Sequence, residues 1–232
     1  MKIIECPRDA MQGIQEFIPT DKKITYINQL LKVGFDTIDF GSFVSPKAIP
    51  QLKDTAEVLA GLDLSNSSSK LLSIIGNKRG AIEACTFNEI DYLGFPLSLS
   101  EEFQQRNTNK SITEAIGVVE EIQNLAIKNN KELVVYLSMA FGNPYSEKYH
   151  PEIVAELTDK LYKLEVGTVA LSDTIGVSNP NNIKPLFNTL IKEYPTIEFG
   201  AHFHTTSDSW EEKIDSAYQN GCRRFDAALK GY

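Results

Sequence analysis

Short apolar stretches rich in Val, Ile and Phe alternate along the chain with longer stretches in which apolar positions recur at helical spacing. An apolar run of about four to eight residues bounded by turn residues indicates a buried strand, whereas a period of about 3.6 residues indicates a helix. The pattern predicts eight strands, at residues 3–4, 36–40, 71–75, 91–95, 132–138, 168–172, 198–202 and 224–229. Helices are predicted between them, among them residues 21–33, 111–129, 151–164, 181–194 and 207–220.

The ends of several predicted helices carry recognisable signals. Ser111 and Glu114 have the spacing of a capping box, in which each side chain binds a backbone N–H of the other residue. Three glycines lie just past predicted helix ends, where a left-handed backbone is common: Gly34, Gly167 and Gly221. These signals support a regular alternation of helices with strands.

Strands that alternate with helices predict a parallel sheet, which is either open and doubly wound or closed into a barrel. Eight strands favour closure, so the expected fold is an α/β (βα)8 TIM barrel. No second domain or low-complexity linker is visible, so residues 1–232 are expected to form a single catalytic domain. Because the sequence stops just after the eighth predicted strand, we expect the C-terminal loop and helix of the barrel to lie outside it.

The composition narrows the class of protein. Hydrophobic residues make up 42% of the chain, and 23 basic residues stand against 31 acidic ones for a net charge of −8. Without a basic run that could follow a phosphate backbone, nucleic acid is not an expected partner. The three cysteines lack metal-type spacing, and no apolar run is long enough for a signal peptide or a membrane span. We therefore expect a soluble cytoplasmic protein without a membrane partner.

Several polar residues fall at the carboxyl ends of predicted strands, where barrel enzymes place their catalytic groups. Arg8 and Asp9 end the first strand, although such a pair is more often a surface ion pair. His202 and His204 end the seventh strand at i and i+2, which projects both imidazoles from one face. With the Asp9 carboxylate, they predict a nitrogen and oxygen site for a divalent metal such as Mg, Mn or Zn. The alternative is a hydrogen-bonded histidine pair in a polar loop.

Three further polar residues are expected at the same mouth of the barrel. Asp39 lies in the second predicted strand, Tyr136 lies in the fifth, and Asp173 follows the sixth. Either aspartate is explained equally well as a helix cap or turn residue, and an isolated strand tyrosine is more often part of the core. Their assignment as candidate catalytic residues therefore depends on the neighbouring Arg8 and histidines.

Five segments of the chain, taken in order, resemble hydroxymethylglutaryl-CoA lyase, a member of the DRE-TIM metallolyase superfamily. The segments are Pro7-Arg8-Asp9, residues 42–47 (SFVSPK) with Pro50-Gln51, residues 142–145 (GNPY), residues 173–177 (DTIGV) and His202-Phe203-His204. The second segment is the most specific, because other enzymes of the superfamily share mainly the first and the last. The similarity covers nearly the whole chain and implies the TIM-barrel fold.

The resemblance implies retro-aldol cleavage of 3-hydroxy-3-methylglutaryl-CoA into acetyl-CoA and acetoacetate, a reaction of leucine breakdown on an acyl-CoA substrate. It also implies a divalent metal cofactor, with Mg or Mn favoured over Zn, and a homodimer or larger homo-oligomer. By motif, the residue that holds the enolate oxygen is Arg8, and the metal ligands are Asp9, His202 and His204. The family residues that position the substrate or assist proton transfer correspond to Asp39, Tyr136 and Asp173.

The sequence departs from the family pattern at several positions. The family's catalytic cysteine and an asparagine metal ligand, which both follow the eighth strand, have no counterpart before Tyr232, and packing roles are expected for Cys6, Cys85 and Cys222. The family usually has Gly, Lys, Glu and Asp where this chain has Ala10, Gln15, Asp39 and Thr205. Two alternatives stay open: a related aldol or Claisen-type lyase or synthase acting on another acyl-CoA or 2-oxo acid, and a non-catalytic metal-binding barrel.

Overall fold

The computed structural model describes residues 1–229 as a closed barrel of parallel strands that pair in sequence order, with the last strand beside the first. The strands are β1 (Lys2–Glu5), β2 (Thr37–Ser42), β3 (Lys70–Ile74), β4 (Tyr92–Ser98), β5 (Glu132–Ser138), β6 (Thr168–Asp173), β7 (Glu198–Phe203) and β8 (Arg224–Ala227). The predicted (βα)8 TIM barrel is therefore confirmed.

Helices connect the strands and cover the outside of the barrel. They are α1 (Pro7–Gln12), α2 (Thr20–Leu30), α3 (Thr55–Ala60), α4 (Lys78–Ala84), α5 (Glu101–Thr108), α6 (Ile112–Lys128), α7 (Pro151–Lys163), α8 (Pro180–Glu193) and α9 (Trp210–Gln219), with a short 3-10 helix at Pro50–Leu52. The predicted capping box at Ser111 and Glu114 begins α6, with both reciprocal hydrogen bonds present. No helix within residues 1–229 is both long enough and apolar enough to cross a membrane.

The first strand is followed at once by a helix, which corrects the predicted position of Arg8 and Asp9. The strand ends at Glu5, and α1 begins at Pro7, so both residues lie on a helical turn rather than at a strand end. Proline favours the first position of a helix because its fixed φ suits the turn and its missing N–H has no partner there. The eighth strand is also shorter than predicted and ends at Ala227.

The predicted left-handed glycines are confirmed at two positions and wrong at the third. Gly34 and Gly221 have φ values of 87° and 99°. Gly167 does not have a positive φ; after α7 the left-handed residue is Glu165, with a φ of 59°. The chain turns earlier there because the amide of Val166 already bonds back to the carbonyl of Leu161 at 3.1 Å.

Two apolar layers hold the barrel together. The larger one lies between the strands and the helices, and a smaller one fills the inside of the barrel with Leu72, Ile74, Tyr92, Val134, Tyr136 and Ala170. Gly94 makes this interior possible, because a Cβ at that position would lie 2.5 Å from Cδ1 of Ile74 and 3.1 Å from the ring of Tyr136. The interior packing therefore fixes the ring of Tyr136 below the mouth.

Candidate functional site

A cavity of about 820 Å³ opens at the carboxyl ends of β1, β7 and β8. Among the residues that line it are Asp9, His202, His204 and Asp226. The carboxyl ends of barrel strands are the usual place of catalytic groups, since the loops that follow them can vary without disturbing the core. The cavity therefore lies where the sequence predicted a site.

The three predicted metal ligands come together on this cavity. One candidate ligand atom from each of Asp9, His202 and His204 can be chosen so that all three lie within 4.8 Å of one another. Nε2 of His202 lies 3.5 Å from Oδ2 of Asp9, and the two imidazole rings are 5.7 Å apart. One carboxylate and two imidazoles at this separation form a donor set that can hold a divalent cation.

Asp226, which the sequence analysis did not single out, fixes the orientation of His202. Its Oδ2 lies 2.9 Å from Nδ1 of His202, and its side chain is only 3% exposed. A carboxylate accepts, so Nδ1 carries a proton, and Nε2 is the nitrogen that faces Asp9. The signal available in the sequence was an acidic residue in the middle of the predicted eighth strand.

The two histidines experience opposite electrostatic environments. Burial disfavours the charged form of His202, but the hydrogen bond and charge of Asp226 outweigh burial, so the pKa of His202 is raised. Burial and the neighbouring His202 lower the pKa of His204. Imidazoles bind metals in the neutral form, so these surroundings favour metal binding by His204, whereas binding by His202 would displace a proton.

Arg8 connects the metal cluster to Asp39. Nε and Nη2 of Arg8 donate to the two carboxylate oxygens of Asp39 at distances down to 2.6 Å, and both side chains are buried. Nη1 donates to Oδ1 of Asp9 and to Oε1 of Gln12, each at 2.9 Å. The guanidinium plane is therefore fixed beside a candidate metal ligand, with the bidentate geometry that arginine forms with carboxylates.

The Asp39 carboxyl is held on an irregular part of β2. The register between β2 and β3 shifts between Asp39 and Gly41, and such bulges commonly redirect a side chain near a site. Burial raises the pKa of Asp39 to about 6, although the charge and hydrogen bonds of Arg8 oppose this rise. Asp39 is thus ionised and paired with Arg8 at neutral pH.

Tyr136 lies directly beneath the histidines. Its ring meets the ring of His202 edge to face with centroids 5.5 Å apart, and the residue is 7% exposed. Burial and the charge of Asp226 raise the pKa of Tyr136, so its hydroxyl stays protonated. The hydroxyl has no hydrogen-bond partner within residues 1–229, and it therefore has the capacity to donate to a bound molecule.

Asp173 is placed near the mouth but is engaged in holding a loop. Its oxygens accept from the amides of Val177 and Ser178 at 2.8 and 3.1 Å, from the Ser178 hydroxyl at 2.5 Å and from Nζ of Lys213 at 2.9 Å. The residue is 1% exposed. Among the described residues, those that line the cavity do not include Asp173, so the carboxylate is not presented to it as the histidines are.

The motif glutamine Gln51 holds the loop that follows α1. Its side-chain amide donates to the carbonyls of Ile14 and Glu16 at 3.0 and 2.8 Å, and its oxygen accepts from the amide of Ile18 at 2.9 Å. Gln15, in the same loop, is exposed, whereas Thr205 lines the cavity. Of the four departures from the family pattern, Thr205 thus lies at the cavity and Gln15 does not line it.

The three cysteines are unpaired thiols in the structure. Cys6 is buried at the cavity wall, and burial raises its thiol pKa. Burial likewise raises the pKa of Cys222 to about 12. Thiols with raised pKa values are poor nucleophiles at neutral pH, which agrees with the packing roles predicted for them.

The fold and the site together define a class: a (βα)8 barrel enzyme with a candidate carboxylate and imidazole metal centre at its mouth. The chain belongs to the HMGL-like family, whose model matches residues 2–232.

Known relatives agree with this assignment. Hydroxymethylglutaryl-CoA lyase YngG of Bacillus subtilis is 33% identical over 97% of this chain and 75% of its own length. The crystal structure of the Bacillus subtilis HMG-CoA lyase superposes with a TM-score of 0.92 at 33% identity, over 98% of this chain and 76% of that one. An HMG-CoA lyase from Acinetobacter baumannii, in complex with coenzyme A and 3-methylmalate, gives a TM-score of 0.90 at 32% identity, over 98% and 74%. The chain is accordingly a carbon–carbon lyase.

Proposed function

We propose that this chain cleaves 3-hydroxy-3-methylglutaryl-CoA into acetyl-CoA and acetoacetate. The observation that carries the proposal is the contact between Arg8 and Asp9, which sets a fixed cation 2.9 Å from a carboxylate of the candidate metal cluster. A retro-aldol reaction needs positive charge at two neighbouring places; Arg8 would supply one, and a cation held by Asp9 would supply the other. Relatives of this chain that are HMG-CoA lyases, one of them bound to coenzyme A, support an acyl-CoA substrate.

The chemistry explains why the two charges must be adjacent. The substrate hydroxyl loses its proton and becomes the ketone of acetoacetate, while the carbon–carbon bond breaks and its electrons move into the thioester. The resulting enolate of acetyl-CoA then takes up a proton on carbon. Arg8 would stabilise the enolate oxygen, and its pairing with Asp39 would fix its orientation before the substrate binds.

The residues present fit a divalent cation. Asp9, His202 and His204 provide one hard oxygen and two nitrogens on a cavity wall, and Asp226 holds His202 in the tautomer that binds metal. When bound, such a cation lowers the pKa of a nearby substrate hydroxyl. We propose Mg or Mn because the resemblance to hydroxymethylglutaryl-CoA lyase implies them; two imidazoles and one carboxylate also form a zinc donor set, so titration with each metal decides between them.

The remaining candidate residues are proposed to act by orientation. Tyr136, with its protonated hydroxyl, would donate a hydrogen bond to the substrate. Asp39 would fix the plane of Arg8, and Asp173 would hold the loop after β6. Although its side chain is shorter than glutamate, Asp39 still forms a bidentate pair with Arg8. The glutamate usual in the family is therefore not required for this contact.

An assay of acetoacetate release tests the proposal. Protein that includes any native C-terminal sequence, incubated with 3-hydroxy-3-methylglutaryl-CoA and Mg or Mn, should release acetoacetate, and EDTA should abolish the reaction. His204→Ala should lose this metal-dependent activity while its circular dichroism spectrum stays native. A metal-loaded protein that leaves this substrate intact but turns over another acyl-CoA would move the function to a related lyase or synthase. Turnover of neither would favour a non-catalytic metal-binding barrel.

We further propose that the enzyme works in the cytoplasm, as a homodimer or larger homo-oligomer, in leucine breakdown. Three free cysteines, two of them buried, are consistent with a reducing compartment. The oligomeric state and the pathway rest on the family resemblance, and sedimentation of the purified protein measures the first of them directly.

A further inference from the structure

Lys213 is a buried cation that reaches the mouth of the barrel from α9. The residue is 3% exposed, and its Nζ donates to Oδ2 of Asp173 at 2.9 Å, to the carbonyl of His204 at 3.0 Å and to the carbonyl of Gly176 at 3.2 Å. An ammonium group has three N–H donors, and this geometry gives each one an acceptor. Lys213 is therefore fully committed to the ends of two neighbouring strands and the loop between β6 and α8.

The acceptor side of this arrangement is equally complete. Oδ2 of Asp173 accepts hydrogen bonds from Nζ of Lys213 and from both the amide and the hydroxyl of Ser178. Its Oδ1 accepts from the amide of Val177. The two carboxylate oxygens of Asp173 thus accept four hydrogen bonds from within the protein. We call these contacts the Lys213 clamp: Lys213, Asp173 and the carbonyls of Gly176 and His204.

The clamp holds a candidate metal ligand by its backbone. Strand β7 ends at Phe203, and His204 is the next residue along the chain. The carbonyl of His204 accepts from the ammonium group of Lys213 at 3.0 Å. The direction of the imidazole depends on where this backbone lies, and errors near one ångström are enough to weaken a metal site.

We propose that Lys213 is a positioning residue for the metal site, which holds His204 at the cluster with Asp9 and His202, and that Asp173 belongs to this clamp. The inference rests on the proposed function, since it takes the cluster to be the metal centre of the lyase. It gives Asp173 a role in geometry rather than in proton transfer.

The chain provides a matched control in Lys23. Lys23 is the fourth residue of α2, as Lys213 is the fourth residue of α9, and both side chains are buried. Nζ of Lys23 donates to Oδ1 of Asp54 at 2.7 Å and to the carbonyl of Gln51. These acceptors include no residue of the candidate metal cluster, so loss of the pair removes a buried ion pair without touching a ligand.

The test compares two paired variants by direct titration with Mn²⁺, in protein whose fold is verified by circular dichroism. Lys213→Met with Asp173→Asn removes the clamp without leaving a charge unpaired, and we expect Mn²⁺ affinity to fall about tenfold to a hundredfold. Lys23→Met with Asp54→Asn should change it by less than about threefold, although its Tm falls by a similar amount. Lys213→Arg, which keeps the charge and can still donate, should recover part of the affinity.

Wild-type Mn²⁺ affinity in the Lys213→Met, Asp173→Asn protein would overturn the inference and leave a merely structural ion pair. If that double variant does not fold, Lys213→Arg decides, because an unchanged affinity beside a lowered Tm would also overturn it. The titration does not depend on turnover, so an inactive wild type whose Mn²⁺ binding is sensitive to the clamp would refute the proposed function alone. A wild type that binds no Mn²⁺ would refute both.

Discussion

Each side of the barrel mouth buries a cation against an aspartate, but the two pairs reach the site in different ways. On the side of β1 and β2, Arg8 pairs with Asp39, and on the side of β6 and β7, Lys213 pairs with Asp173. All four side chains are at most 8% exposed. In both pairs the attraction of the partner charge offsets the free energy that each ion loses on leaving water.

The difference lies in what each cation contacts next. Arg8 also binds the carboxylate of Asp9, so it touches a candidate ligand through that ligand's side chain. Lys213 donates to the backbone carbonyl of His204. A group beside the reacting atoms can stabilise charge directly, whereas a group behind the backbone acts only by fixing position. The comparison therefore separates a candidate catalytic cation from a positioning one.

The largest expected effect on catalysis is that of replacing Arg8. Arg8→Met should lower kcat about a hundredfold to a thousandfold, because the enolate loses its stabilising charge. Saturating Mn²⁺ should not restore this loss, whereas it should restore most of the activity of Lys213→Met, Asp173→Asn. Steady-state kinetics across a Mn²⁺ series measures both. Recovery of the Arg8 variant at high Mn²⁺ would place the two cations in the same role.

The second prediction concerns the positioning of His202 by Asp226. Asp226→Asn should reduce Mn²⁺ affinity about tenfold to a hundredfold, since an amide can donate to Nδ1 and so favour the wrong tautomer. Isothermal titration of the purified variant measures it. An unchanged affinity would show that packing against Tyr136 alone orients the ring.

Arg224 gives a third prediction, because it is a buried cation with much weaker pairing. The residue is 0% exposed, its three side-chain nitrogens make no hydrogen bond within residues 1–229, and its contact with Glu198 is 3.6 Å long. Arg224→Met should change the free energy of unfolding by less than about 1 kcal/mol or stabilise the fold, whereas Arg8→Met should cost about 3–5 kcal/mol. Urea unfolding measures the two values. Equal losses of unfolding free energy in the two variants would contradict a difference in stability that comes from the pairing of each arginine.

The smallest expected effect concerns a buried carboxylate that accepts a backbone amide. Glu5 is 2% exposed and accepts the Leu229 amide at 3.1 Å. Burial raises its pKa above the ordinary value of 4.5, although the Leu229 amide opposes the rise. The folded state thus prefers the protonated form, and the cost of ionisation grows as pH rises through that raised pKa. Glu5→Gln should be slightly more stable than the parent at pH 7, with the difference absent near pH 4; a constant difference in urea unfolding across this range would contradict it.

The barrel was predictable because its pattern is carried by many residues at once. Alternation of strands and helices is repeated along the chain, so local errors such as Gly167 or the length of β8 do not change the fold. The proximity of the three candidate metal ligands was predictable for a similar reason. The i, i+2 spacing of His202 and His204 survives any small shift of the strand boundary.

The supporting residues were not predictable from local sequence. Asp226 and Lys213 acquire their roles from His202 and Asp173, which lie far from them along the chain. A lone charged residue in a predicted strand or helix gives no indication of which residue it will contact. Arg8 was placed on the wrong element because a proline after a short strand permits either a turn or a helix start. Long-range pairing, rather than propensity, decided these positions.

The pairing of β1 with β8 sets the order of events while the protein is being synthesised. Lys2 lies beside Arg224 in the closed sheet, so one edge of the first strand stays unpaired until residue 224 has left the ribosome. At ordinary rates of translation this interval is on the order of ten seconds or more. Until β8 arrives, Asp226 cannot hold His202, and the edge of β1 is open to mispairing. Acquisition of the metal would therefore report that the nascent barrel has closed.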